Sequence, residues 1–300
     1  MSKKIETLVE DIYHVLDATK DHEPDATAST EAAGRIGTEF IKATQKRDEP
    51  RSMGRLWASD LGKKCDRQHW YNFNEPEYGE KLSGHTKFKF LYGNILEESV
   101  LWLAEEAGHT VEGTQASVEL PLDGGWTVRG RIDAIIDGTL VDVKSTSSYG
   151  FKQYKDGIDA SNDTFGYLSQ LGFYHGFHDD SLKCDPVAGF VWIDKQNGHI
   201  AYTPANIPKP ADIEQRARSI VSAIEGTEME ADRAYVPEPY GKSGNMKLPT
   251  ACSYCSFKQR CWRDANGGNG LRGYLYSHGP VWFTDISRPP NSSVQELPNE

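Results

Sequence analysis

Two aspartates and a lysine are spaced so that they could share one piece of chemistry: Asp133, Asp142 and Lys144. Val128, Ile132, Ala134 and Ile136 fall on alternate positions. Asp137-Gly138 is a tight-turn pair, and Leu140, Val141 and Val143 open a second apolar run, so the stretch reads as a β-hairpin. Side chains alternate with period two, which puts Asp142 and Lys144 on one face of the second strand. With the hairpin in register, Asp133 lies across the ladder from Asp142, and two carboxylates converge beside one ammonium. Carboxylates held close repel, and a hard divalent ion such as magnesium or manganese relieves that repulsion. Such an ion lowers the pKa of a bound water and offsets phosphate charge, while Lys144 orients the water or meets the developing oxyanion. The plainer alternative is a polar hairpin whose Asp and Lys are ordinary surface charges.

A second cluster is made of cysteines. Cys252-x2-Cys255-x5-Cys261 can present three sulfurs to one centre, and Cys65 is the obvious fourth ligand, with Cys184 left over as a bystander. Four thiolates suit tetrahedral zinc or an iron-sulfur cluster, and spacing does not separate the two. Either would act as a staple between the segments near residues 65 and 255. Upstream of the hairpin, Gly93 and Glu97 lie one helical turn apart, so a small residue sits above a carboxylate and allows close approach to a sheet. Downstream, Gln170 and Tyr174 share a helix face at i and i+4.

These motifs, in this order, resemble the PD-(D/E)XK nuclease superfamily, and within it the RecB-like exonuclease branch. The resemblance rests on Gly93 to Glu97-Glu98, Gly130-x-x-Asp133, Asp142-Val143-Lys144 and Gln170-x-x-x-Tyr174. It implies metal ligands at Asp133, Asp142, the Val143 carbonyl and Glu97, with Glu98 as an adjacent competitor. It also implies Lys144 at the attacking water and Gln170 and Tyr174 steadying the nucleotide. Two departures stand out: Asp142 where many members have Glu, and Glu97 where many have His, as in phage exonucleases. Cys65 followed by C-x2-C-x5-C resembles the subset carrying a 4Fe-4S cluster, such as AddB-type nuclease subunits and CRISPR-associated single-strand exonucleases. That favours a cluster on Cys65, Cys252, Cys255 and Cys261, with zinc as the lesser alternative.

The elements that must position these residues follow from periodicity. Ile5, Leu8, Val9, Ile12 and Leu16 recur at helical spacing, Asp21 to Ser29 reads as a loop, and a second helix runs from about Glu31 to Lys46. Leu56 to Arg67 reads as one short helix capped by Ser59 or Asp60, with Cys65 near its end. A long helix is expected from Phe88 to Gly108, a strand from Thr114 to Leu120 pairing with one from Trp126, and a helix over Asp163 to Asp179. The loop Ser145 to Phe151 either contacts a phosphate and a base or is a plain connection. Phe190–Asp194 and Ile200–Thr203 form a hairpin about Asn197-Gly198, and Ala211 to Ile224 is helical. A last hairpin holds Tyr274, Tyr276, Val281, Trp282 and Phe283, and the polar tail from Pro289 is expected to be disordered. The predicted fold is α/β, a mixed central sheet flanked by helices in the manner of restriction endonucleases. Its expected parts are a helical extension over 1–48, a nuclease domain over 49–265 with the cysteine site, and a C-terminal hairpin and tail over 266–300.

Composition frames these readings. Three hundred residues, 37% of them hydrophobic, can bury a sizeable core. A formal charge of -11 is unusual for a protein that approaches phosphates, so a basic surface must be local. No run of about 18 apolar residues is present and the first residues lack a signal-peptide core, so an intracellular, cytoplasmic protein without membrane contact is expected, in a host cytoplasm if phage-encoded. Five cysteines suit a reducing compartment. The functional expectation is a metal-dependent DNA exonuclease in recombination, repair or phage DNA metabolism. Its substrate would be single-stranded DNA or DNA with free ends, and its partner a recombinase, annealing protein or helicase. The competing reading is a DNA-end-binding scaffold or recruitment protein that keeps the fold without turnover.

Overall fold

The helical repeat at the start of the chain becomes α1 (Leu8–Asp17), on which Leu8 and Ile12, one turn apart, are fully buried. The computed structural model describes residues 3–18, 23–45, 51–228, 231, 233–277 and 279–298. The second helix, α2, runs Ala26–Gln45, starting inside the expected loop. The parts of these expectations at residues 19–22 and 46–48 lie outside the described residues. Next come β1 (Arg55–Trp57), α3 (Ala58–Leu61) and α4 (Asp66–Asn74). The single helix expected from Leu56 to Arg67 is therefore corrected: the chain breaks after Leu61, and Cys65 caps the start of α4. Asp60 closes the first turn, its carboxylate accepting the Trp57 N–H at 3.0 Å.

The long helix is α5 (Gly84–Glu106), one turn longer at its start than the apolar repeat suggested. Strands β2 (Val111–Glu112), β3 (Ser117–Pro121), β4 (Thr127–Arg131), β5 (Ala134–Ile136) and β6 (Thr139–Thr146) follow. Then come α6 (Ser148–Tyr154) and α7 (Tyr167–Phe177). The helix expected from Asp163 starts at Tyr167 because the Asp163 carboxylate accepts the N–H groups of Gly166, Tyr167 and Leu168 at 2.8–2.9 Å, closing the helix from outside. β7 (Ala188–Asp194), β8 (Ile200–Ala205) and α8 (Pro210–Glu225) match their expected positions. The later elements include β9 (Glu238–Pro239), β10 (Met246–Lys247), α9 (Thr250–Ser253), α10 (Lys258–Cys261), β11 (Arg272–Tyr276), β12 (Gly279–Asp285) and β13 (Gln295–Glu296). The last corrects the disordered tail: Glu296 pairs opposite Tyr274, and its carboxylate takes the Arg272 Nε at 2.7 Å.

The chain forms two compact units. The first comprises residues 1–49, 54–62 and 82–217. Its main sheet has the order β2-β5-β6-β7-β8, with β6 parallel to β7 and the other pairs antiparallel, which is the mixed sheet expected. Leu8, Ile12, Leu101 and Ala104 pack with Ala134, Ile136, Val141, Val143, Val191 and Ile193 in one cluster, joining α1 and α5 to the sheet. Aromatic contacts join α6 and α7 to it: Tyr154 lies 4.8 Å from Trp192 and Tyr167 6.3 Å from Phe190. β7 thus reads as a near-continuous apolar run, as a strand covered on both faces does, whereas β6 interrupts its apolar start with Asp142 and Lys144.

A second sheet in this unit has the order β1-β4-β3. Here the hairpin reading needs correction, because its first strand, expected unbroken from Val128 to Ile136, is split between the two sheets. The Asp133 carboxylate accepts the Val143 N–H at 2.7 Å, so beyond Ala134 a side chain rather than backbone joins the strands.

The second unit comprises residues 50–53, 63–81 and 218–300, with the sheet order β13-β11-β12-β10-β9. Tyr71 of α4 stacks on Phe257 at 5.5 Å, and the Glu80 N–H donates to the Ser256 carbonyl at 2.9 Å. Among the described residues, no helix is long and apolar enough to cross a membrane.

Candidate active site

A left-handed turn sets the register on which the site depends. Asp137 (φ 50°) and Gly138 (φ 87°) join β5 to β6 so that Ala134 faces Val141, which brings Asp133, one residue earlier, beside Asp142. Asp142 is 1% exposed. Its Oδ2 lies 2.5 Å from Lys144 Nζ, while its Oδ1 is buried with no hydrogen-bond partner. Burial pushes the Asp142 carboxyl up against the opposing pull of Lys144. Asp133 is pushed up to about 7, first by burial and then by the Asp142 charge. Burial alone would lower Lys144, but the two aspartates more than reverse this and hold it well above the usual lysine range.

Glu97 arrives on α5. A side chain at Gly93 would lie 3.3 Å from Ser145 Oγ, so the glycine lets the helix approach β6 closely. Glu97 is pushed up to about 9 by burial and then by the Asp133 charge, so it belongs to the same carboxylate group. Its Oε1 accepts from Gln115 Nε2 at 3.1 Å. Glu98 turns the other way: it is buried and paired with Arg35 of α2 at 2.6 Å. Of the two adjacent glutamates, Glu97 is therefore the one with Asp133 and Asp142. A cleft of about 630 Å³ opens onto Glu97 and Asp133, with Phe90 and Asn94 of α5 and Lys42 of α2 along its walls.

From α7, Gln170 Nε2 donates to Tyr174 Oη at 2.8 Å. Burial raises Tyr174, and the Asp142 charge adds to this, which places the phenol beside the aspartate. Gly130 has a packing reason: a Cβ there would lie 2.5 Å from the Tyr174 ring. Tyr167 was not anticipated. Its ring stands 5.6 Å from Lys144 Nζ, and its one available signal was a place on the same helix face as Gln170 and Tyr174. Gln115 left no local signal. The loop after Lys144 is mostly structural: Ser147 Oγ accepts the Gly150 N–H, Ser148 Oγ donates to Asp194 at 2.9 Å, and Phe151 is buried, leaving Tyr149 exposed.

Cys65, Cys252, Cys255 and Cys261 all lie in the second unit. Burial pushes Cys252 and Cys255 up to about 12 and raises Cys261, and the Cys65 charge adds to all three. No disulfide links the five cysteines. Among the described residues, no three His, Cys, Asp or Glu side chains are grouped closely enough to hold a metal ion, at the carboxylates or at the cysteines. The donor types nonetheless suit such groups. Asp142 Oδ1 is a buried acceptor without a partner, and four thiols are a soft-metal donor set.

No curated protein matches this chain. Among solved structures, the crystal structure of SSO0001 is similar at a TM-score of 0.44 and 18% identity, over 75% of this chain and 93% of that one. The sequence profile of the PD-(D/E)XK nuclease superfamily matches residues 14–262. That span takes in the three carboxylates, Lys144, the Gln170–Tyr174 pair and most of the chain, so this chain belongs to the PD-(D/E)XK nuclease superfamily, a family of metal-dependent nucleases.

Proposed function

We propose that the chain is a DNA exonuclease that hydrolyses phosphodiester bonds at DNA ends with magnesium or manganese, in recombination, repair or phage DNA metabolism. The observation that carries the hydrolytic reading is the buried Asp142 Oδ1 without a partner, on a carboxylate whose other oxygen meets Lys144 at 2.5 Å. Asp133, Asp142, Glu97 and the Val143 carbonyl would hold the ion, which supplies Lewis acidity and a more acidic water when bound. Lys144 carries its charge beside Asp142 and can meet negative charge on the phosphate. Tyr174, oriented by Gln170, offers its hydroxyl next to the same aspartate. The exonuclease assignment rests on the order and spacing of the four motifs, which resemble the RecB-like branch.

The cysteine set supports a 4Fe-4S cluster on Cys65, Cys252, Cys255 and Cys261, with zinc as the lesser alternative. Its role would be structural, since it joins two sequence-distant segments that Tyr71 and Phe257 already bring together.

The test uses anaerobically purified protein on end-labelled single- and double-stranded DNA with magnesium, manganese or EDTA, beside Asp142→Ala. Metal-dependent release of nucleotides that falls by about 10²-fold or more in the variant supports the reading. DNA that is bound but not cut in either metal would replace it with an end-binding scaffold.

A further inference from the structure

The outer face of the β1-β4-β3 sheet carries more positive than negative side chains in a chain that is acidic as a whole. Inward positions Leu56, Val118, Leu120 and Val128 are buried. Outward positions carry Arg55 and Trp57 on β1, Arg129 and Arg131 on β4, and Glu119 on β3. Three arginines against one glutamate stand out in a chain of formal charge -11. Arg55 and Arg131 are exposed, Trp57 is 45% exposed, and the Arg55 guanidinium lies 5.9 Å from the Trp57 ring. Arg129 sits opposite both Trp57 and Glu119 in the pairing, and its Nε meets Glu119 at 3.1 Å.

Two features say what such a face would hold. Arg129 and Arg131 are two residues apart on one strand, hence about 6.7 Å, which is near the separation of neighbouring phosphates in an extended strand. β4 ends at Arg131 and the chain passes through Ile132 to Asp133, so the arginine row lies two residues from the first carboxylate in sequence. An exposed indole beside them is the stacking element that single-strand grooves combine with positive charge.

We propose that this face binds the sugar-phosphate backbone of a single DNA strand on its way to or from the site, with Arg55, Arg129 and Arg131 on phosphates and Trp57 under a base. The inference deepens the nuclease reading and rests on it for the identity of the strand. It also accounts for how a chain this acidic approaches a polyanion: positive charge is gathered locally on this sheet face.

Binding without cleavage tests it. Full-length protein is titrated into fluorescently labelled oligothymidylate in metal-free buffer over a range of salt concentrations. Replacing both Arg55→Gln and Arg131→Gln is expected to weaken binding at least tenfold and to flatten the dependence of log affinity on log salt by about 1.4, at about 0.7 for each phosphate no longer neutralised. Trp57→Ala is expected to weaken binding about tenfold with the salt slope unchanged. Wild-type affinity and slope in the double variant overturn the proposal, as does a weakening seen only with duplex. Should the double variant fail to fold, photocrosslinking of wild-type protein to a 5-iodouracil strand decides. Attachment at Trp57 supports the face, and attachment only elsewhere overturns it. Because no cutting is read, an inactive wild type leaves a positive result standing, while an active wild type whose variants bind normally removes this face and keeps the nuclease.

Discussion

Glu97 and Glu98 are neighbours with opposite fates. Consecutive helical residues point about 100° apart, so one can face a site only if the other faces away. Arg35 of α2 takes Glu98 at 2.6 Å and leaves Glu97 with Asp133. Glu97→Gln is therefore expected to cut metal-dependent cleavage about a hundredfold. Glu98→Gln should leave the rate within a few-fold and cost about 1–3 kcal/mol of stability, read from urea midpoints, because a buried ion pair loses its charge complement. The reverse ranking would make Glu98 the ligand. A pH dependence follows from the same carboxylates. Folding raises Glu97 to about 9 and Asp133 to about 7, above the unfolded values near 4, so the metal-free folded state holds the extra protons and loses stability as pH rises through that window. A divalent ion binds the deprotonated groups and releases those protons. The rise in melting temperature produced by magnesium should thus grow from about pH 5 to about pH 9, and a rise that shrinks with pH would remove these carboxylates from the metal site.

Helix α7 and strand β4 meet at Gly130, where the Tyr174 ring occupies the space a side chain would need. Gly130→Val is expected to destabilise the fold by about 1–3 kcal/mol through overpacking. Because the displaced group is Tyr174, cleavage should fall further than the loss of folded protein explains, measured on the fraction that remains folded. An activity loss that only tracks unfolding would mean that the α7 face does not serve the site. The expected helix over Asp163 to Asp179 was legible through Gln170 and Tyr174, but its start was not. A carboxylate that caps from four residues before the helix, as Asp163 does, satisfies the amides without joining the helix.

Across the whole chain, a group held by the cysteine set would link residues about 190 positions apart, Cys65 and Cys255. In the chain-entropy picture, closing so long a loop restrains the unfolded state by several kcal/mol. Cys255→Ser is accordingly expected to bleach the brown colour of an iron-sulfur protein and lower the melting temperature by several degrees. Colourless wild-type protein with one zinc per chain would overturn the cluster while keeping the staple. A colourless, metal-free wild type with an unchanged melt in the variant would remove both.

What the sequence by itself determined are the features governed by local rules. The Asp137-Gly138 turn with its alternating flanks, the apolar stripes of α1, α5 and α8 and the Asn197-Gly198 hairpin all follow from backbone periodicity and turn sterics. Those rules also placed Asp142 and Lys144 on one face, and the 2.5 Å contact agrees. Only the tertiary structure decided the rest, because each remaining choice was a competition between distant groups for the same partner. Asp133 takes an amide from Val143 and so splits a strand that alternation alone would have continued. Arg35, in a helix with no visible chemistry of its own, chose between two glutamates. Tyr167 and Gln115 joined the site through contacts over tens of residues, and the tail from Pro289, polar enough to look unfolded, found an open strand edge at β11 and an arginine for Glu296. Burial and pairing energies of this kind depend on which segments meet, and local sequence carries no record of that.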